Sequence, residues 1–133
     1  MVENLVPTYN ILIVNDNHSE AFLTSLVLRK AFVTSEITWE SSPKQALISL
    51  QNERSKPDFI FLDLDMAEMD GFSFLKEFEK INSCIQNPSR VIILSNLHEE
   101  HLQKARRNST VCAFIQKPLG FDAVANDTEL KVF

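Results

Sequence analysis

The 133-residue chain predicts one α/β domain, a parallel sheet with helices on both faces. Four short runs, residues 11–14, 59–62, 91–94 and 112–115, are apolar without a break, as strands buried on both sides of a sheet require. The stretches between them repeat apolar residues every three or four positions, the spacing of an amphipathic helix. Each run is followed by a polar residue able to take part in phosphate chemistry: Asp16, Asp63, Ser95 and Lys117. A parallel sheet brings all such ends to one edge, where open α/β sheets place their chemistry.

The elements follow in order. Residues 1–9 hold a proline and little pattern and read as a lead-in to a domain spanning 10–133. Ile11-Leu12-Ile13-Val14 forms the first strand, and the polar turn Asn15-Asp16-Asn17-His18 puts Asp16 just past its end. Ser19 is placed to cap a helix whose apolar positions are Phe22, Leu23, Leu26, Val27 and Ala31, and which ends near Phe32. Residues 36–40 alternate Ile37 and Trp39 with charged or hydroxyl residues, so the second strand is half exposed and lies at an edge. Pro43 suits the first position of a helix running through Ala46, Leu47 and Leu50.

Phe59-Ile60-Phe61-Leu62 is the third strand, closed by Asp63. Gly71, the only glycine among the first 119 residues, follows its loop, and Phe74, Leu75, Phe78 and Ile81 mark the next helix. Past a connector with Pro88, the strand at 91–94 ends in Ser95-Asn96, and a helix over 99–107 has only Leu102 and Ala105 to bury. Residues 112–115 end in Gln116-Lys117-Pro118. The tail from Leu119 has a helical pattern through Phe121, Val124, Ala125 and Leu130, which makes five helices for five strands.

Composition narrows the function. At this length the domain buries about 68% of its unfolded surface around one core. No apolar stretch approaches the roughly 20 residues that span a bilayer. The first ten residues lack the basic-then-apolar order of a secretory signal, so a cytoplasmic location is expected. A formal net charge of -5 argues against tight nucleic-acid binding. Lys104 with Arg106 and Arg107 reads as a solvated helix end. Cys84 and Cys112 have no metal-like spacing and read as idle thiols. His98 and His101, with Glu99 and Glu100 between them, read as a solvated helix start, and His18 as a turn residue.

The four strand-end residues support phosphoryl transfer to a carboxylate. Asp63 as nucleophile forms an acyl phosphate. Charge gathers on the transferring oxygens, so a hard cation with oxygen ligands is needed, and Asp16 beside Asp63 can hold Mg²⁺. Lys117 supplies positive charge to one phosphoryl oxygen and the Ser95 hydroxyl a hydrogen bond to another.

Here the chain resembles the receiver domain of two-component response regulators, over about residues 10 to 131. Asp63 to Gly71 reads D-x-x-M-A-x-x-D-G, similar to the D-x-x-M-P-x-x-D-G around the family's phosphoacceptor, and Ser95 and Lys117-Pro118 follow in matching order and spacing. The resemblance implies a flavodoxin-like three-layer sandwich with a five-stranded parallel sheet of order 2-1-3-4-5. It also implies Mg²⁺ held by Asp16, Asp63 and the backbone carbonyl of Asp65, and phosphorylation of Asp63 by a histidine kinase or phosphotransfer protein. Phe114 matches the aromatic that changes rotamer as Ser95 moves toward the phosphoryl group. Output is expected from a partner protein docking on the fourth helix, last strand and last helix of a stand-alone, chemotaxis-regulator-like switch that is not a turnover enzyme.

The chain departs from the pattern at three places. Asn15 replaces the first of two usual acids, and weaker Mg²⁺ binding is expected for it. Ala67 replaces Pro and loosens the loop. Asn96 follows Ser95 where a small residue is usual, and is expected to slow both gain and loss of the phosphoryl group; Asp65 adds a third carboxylate at the pocket mouth. Two other classes compete: a receiver-like interaction module that is never phosphorylated, and a haloacid-dehalogenase-type phosphatase. The phosphatase shares D-x-D, read here as Asp63-Leu64-Asp65, but carries it on its first strand.

Overall fold

The computed structural model describes residues 8–32, 35–52, 56–82, 88–96, 99–117 and 131–132. In order these form β1 (Asn10–Val14), α1 (His18–Ala31), β2 (Glu36–Glu40), α2 (Pro43–Asn52), β3 (Phe59–Asp63), α3 (Gly71–Asn82), β4 (Arg90–Ser95), α4 (Glu99–Arg106), β5 (Val111–Gln116) and β6 (Lys131–Val132). One sheet carries them as β2-β1-β3-β4-β5-β6. The first five strands are parallel, so the predicted order 2-1-3-4-5 is present. β6 is an addition: it runs antiparallel to β5, with Val132 opposite Ala113 and Lys131 opposite Phe114. The helix expected from Leu119 falls on residues outside those described.

Period-two alternation sorts the strands between two cores, because successive strand side chains point to opposite faces. Ile60, Leu62, Val91, Ile93 and Phe114 pack with Ala46 and Leu50 of α2, Phe74, Leu75 and Phe78 of α3, and Leu102 and Ala105 of α4. Ile11, Ile13, Phe61, Ile92, Leu94, Ala113 and Ile115 pack on the other face with Ala21 and Leu28 of α1. These are the three layers. Being covered on both faces is what demands the unbroken apolar runs. β2 is the edge strand expected, with Trp39 exposed.

The α1 prediction needs correcting. Asn17, not Ser19, caps the helix, its side chain accepting the Glu20 N–H at 3.0 Å. Phe22, Leu23 and Leu26 are exposed, while Ala21, Thr24 and Leu28 face the sheet. The helix had two candidate stripes one residue apart. The stripe with small residues lies inward, and small side chains let a helix backbone approach a sheet closely.

The α3 side follows the pattern. Gly71 opens the helix where its N–H donates to the Leu64 carbonyl at 2.9 Å. A Cβ there would stand 2.6 Å from Leu64 Cδ2 and 2.8 Å from Leu64 Cα. Only glycine lets the helix start press so closely on the loop behind Asp63. Among the described residues, no helix is long and apolar enough to cross a membrane.

Candidate functional site

The sheet's register brings the polar strand ends to one edge. Asp63 is paired with Leu94, one residue before Ser95, and Ser95 is paired with Gln116, one residue before Lys117. The Lys117 N–H donates to the Ser95 carbonyl at 2.8 Å, which fixes the lysine's root beside β4. From there its ammonium reaches Asp63 and forms an ion pair with Oδ1. Asp63 is 2% exposed, and its Oδ1 accepts no hydrogen bond of regular geometry. The contact is therefore one of charge in a nearly dry setting.

Asp16 joins this edge through the loop after β3, its Oδ2 accepting the Ala67 N–H at 2.8 Å. The same loop is anchored from the far side: Glu68 Oε1 accepts from the Ser42 hydroxyl at 2.7 Å and the Lys44 N–H at 3.3 Å, at the start of α2. Asp65 and Asn96 are exposed at the rim. Ser95 is fully buried, and its hydroxyl donates to the Asn96 carbonyl at 2.9 Å. Phe114 is fully buried within the core that includes α3 and α4. Asn15 is 1% exposed and is spent on the loop itself: its Oδ1 accepts the Asn17 N–H at 2.9 Å.

One residue was missed by the sequence reading. Glu20, in the first turn of α1, places Oε1 2.9 Å from the Lys117 ammonium, and Asn15 Nδ2 donates to the same oxygen at 3.4 Å. Lys117 thus bridges two carboxylates from different elements. An acid three residues after a capping Asn was the available signal, hidden because Ser19 also reads as a cap.

The charges shift one another in ways the geometry explains. Burial pushes the Asp63 carboxyl above its ordinary value, and the nearby Glu20 charge adds to that; Lys117 and the Asp65 backbone N–H pull it down without prevailing. Burial acts to raise Glu20 too, but its contacts with Lys117 and Asn15 outweigh it and leave Glu20 below its ordinary value. Burial acts to lower Lys117, yet its two carboxylate partners hold it above its ordinary value. The ammonium is firmly charged at neutral pH.

The donor set suits a hydrated hard cation. Asp63 and Asp16 offer carboxylate oxygens, and Asp63 Oδ1 is a buried acceptor without a regular hydrogen bond. Among the described residues, no group of three or more His, Cys, Asp or Glu could hold a metal unaided. Two carboxylates suit Mg²⁺, which is usually held through one or two carboxylates and keeps several waters, and fit poorly with zinc, which is almost always held by three or four protein ligands. His98 and Cys84 lie outside the described residues. Cys112 is a half-buried free thiol whose burial raises it above its ordinary value.

The response regulator receiver domain model matches residues 11–129. The chain is 28% identical over 123 residues to the probable methanogenesis regulatory protein FilR2 of Methanothrix harundinacea, covering 90% of this chain and 78% of that protein. It is 34% identical over 116 residues to a protein-glutamate methylesterase/protein-glutamine glutaminase of Treponema denticola, covering 85% of this chain but 29% of that relative. The fold matches the crystal structure of a two component response regulator from Cytophaga hutchinsonii with a TM-score of 0.77 at 25% identity, covering 88% of this chain and 91% of the other.

Proposed function

The chain belongs to the response regulator receiver domain family, and from that premise we propose that it is a phosphoryl-accepting switch with Asp63 as the acceptor. The observation that carries the reading is the nearly dry Asp63 carboxylate paired with the Lys117 ammonium at the C-terminal edge of a parallel sheet. The donor is a histidine kinase or a histidine phosphotransfer protein. A carboxylate oxygen of Asp63 attacks phosphorus; the O–P bond forms as the N–P bond of the phosphohistidine breaks. The electron pair leaves on the imidazole nitrogen, which takes up a proton, and Asp63 becomes an acyl phosphate.

Asp16, Asp63 and the Asp65 backbone carbonyl would hold Mg²⁺, which when bound would supply charge neutralisation for the phosphoryl oxygens. Lys117 neutralises a further oxygen. Ser95 must turn its hydroxyl from the Asn96 carbonyl to donate to the phosphoryl group, and Phe114, buried two strands' width from Asp63, repacks with it. Asn96 borders the entrance and slows entry and hydrolysis; Asn15 leaves the metal one first-strand carboxylate fewer. The outcome is a shift between two conformations read by a protein partner on α4, β5 and the tail beyond, rather than turnover of a substrate. The test is incubation with acetyl phosphate and Mg²⁺, followed by intact mass. One phosphoryl adduct is expected, absent in Asp63→Asn. No adduct would mark an interaction module that is never phosphorylated, and steady hydrolysis of a phosphomonoester would mark a phosphatase.

A further inference from the structure

We propose that Glu20 is a positioning residue that holds the Lys117 ammonium when the Asp63 carboxylate is given over to a divalent cation, an inference that rests on the phosphoacceptor reading above. Lys117 and such a cation compete for the same carboxylate, and both are positive. The Lys117 side chain is 16% exposed, so an ammonium parted from Asp63 would be left largely dry and unpaired, a costly state. Glu20 already stands 2.9 Å away and keeps it paired without a large movement.

The β1–α1 turn is built to aim Glu20 at the lysine. A Glu three residues after a helix cap commonly turns its carboxylate back to the cap's own N–H. Here Asn15 Oδ1 accepts that N–H, from Asn17, at 2.9 Å. The Glu20 carboxylate is released from capping and is steered by Asn15 Nδ2 at 3.4 Å. The small inward residues Ala21 and Thr24 bring this first turn close to the sheet. Asn15 itself is neutral, so the counter-charge for a displaced Lys117 comes from Glu20.

Mg²⁺ alone is titrated into the full chain, followed by calorimetry and by fluorescence of Trp39. This is the sole tryptophan, and its indole N–H donates to the Asn15 carbonyl at 2.8 Å. Glu20→Gln is expected to weaken Mg²⁺ binding about tenfold, the low end of what outer partners of a metal site contribute. Glu20→Asp, which keeps the charge with a shorter reach, loses less. In a Lys117→Met background, with no ammonium to hold, the same Glu20→Gln change alters affinity less than about twofold. An undiminished Glu20→Gln effect without Lys117 overturns the inference, since Glu20 would then be attracting the cation directly. Wild-type affinity in Glu20→Gln also overturns it, and leaves the phosphoacceptor reading standing. A wild-type chain that binds no Mg²⁺, or binds it equally after Asp63→Asn, overturns both.

Discussion

The two faces of the sheet are packed by different means. On the α2, α3 and α4 side, large aromatic residues fill the space: Phe74 and Phe78 are fully buried and stacked, with ring centroids 5.9 Å apart. On the other side α1 contributes Ala21, Thr24 and Leu28, and leaves Phe22 62% and Leu23 59% exposed. The first face is built for packing energy. Helix α1 trades bulk for proximity, leaving Phe61 of β3 as the large buried ring on its face, and proximity is what lets Glu20 reach Lys117 from its first turn. Among the described helices, α3 thus brings bulk to its face of the sheet and α1 brings reach to the site.

The largest test of that division is Phe78→Ala. It removes a fully buried ring from the α3 face, and the cavity cannot close around its stacked neighbour Phe74. A loss of about 3–5 kcal/mol is expected in urea unfolding. A loss under about 1 kcal/mol would mean that this core is loosely packed, and the contrast between faces would fail.

Asp63→Asn probes the edge where the two faces meet. Burial holds the Asp63 carboxyl above its ordinary value, so ionising it in the folded chain opposes folding. A raised acid contributes stability that is full below its unfolded value of about 3.9 and is lost as pH rises through the folded value. Wild type therefore carries the deficit at pH 7, and Asn, which is neutral, does not. Lys117 keeps Glu20 as partner in the variant. Asp63→Asn is expected to melt higher than wild type at pH 7. The gap should narrow as pH falls toward about 4. A lower melting point at pH 7 would show that the Lys117 pair outweighs burial.

The same contrast explains what could be read in advance. Strands buried on both faces need unbroken apolar runs, so β1, β3, β4 and β5 stood out, and with them Asp63 and Lys117 at or just past their ends. α3 was legible because its apolar stripe is the inward one. α1 was not: apolarity favoured Phe22, Leu23 and Leu26, while close approach favoured Ala21 and Thr24, and tertiary packing chose the second. The choice of Ser19 over Asn17 as cap followed from the same ambiguity and hid Glu20. β6 escaped notice because two residues are too few to show a period and their pairing with β5 is long-range.

The smallest expected effect is the sharpest check on α1. With its outer stripe facing solvent, Phe22→Ser removes little buried area, and stability should change by less than about 0.5 kcal/mol in the same urea assay. Leu23→Ser should behave alike. A loss above about 2 kcal/mol in either would mean that the outer stripe is covered in solution and that the bulkier stripe also contributes packing energy. Because Glu20 is held by its own cap and by Lys117 rather than by Phe22, the Mg²⁺ affinity of Phe22→Ser should match wild type. A variant that kept its stability but lost Mg²⁺ affinity would show that the outer stripe sets the pose of the first turn, and the division between a packing helix and a positioning helix would have to be redrawn.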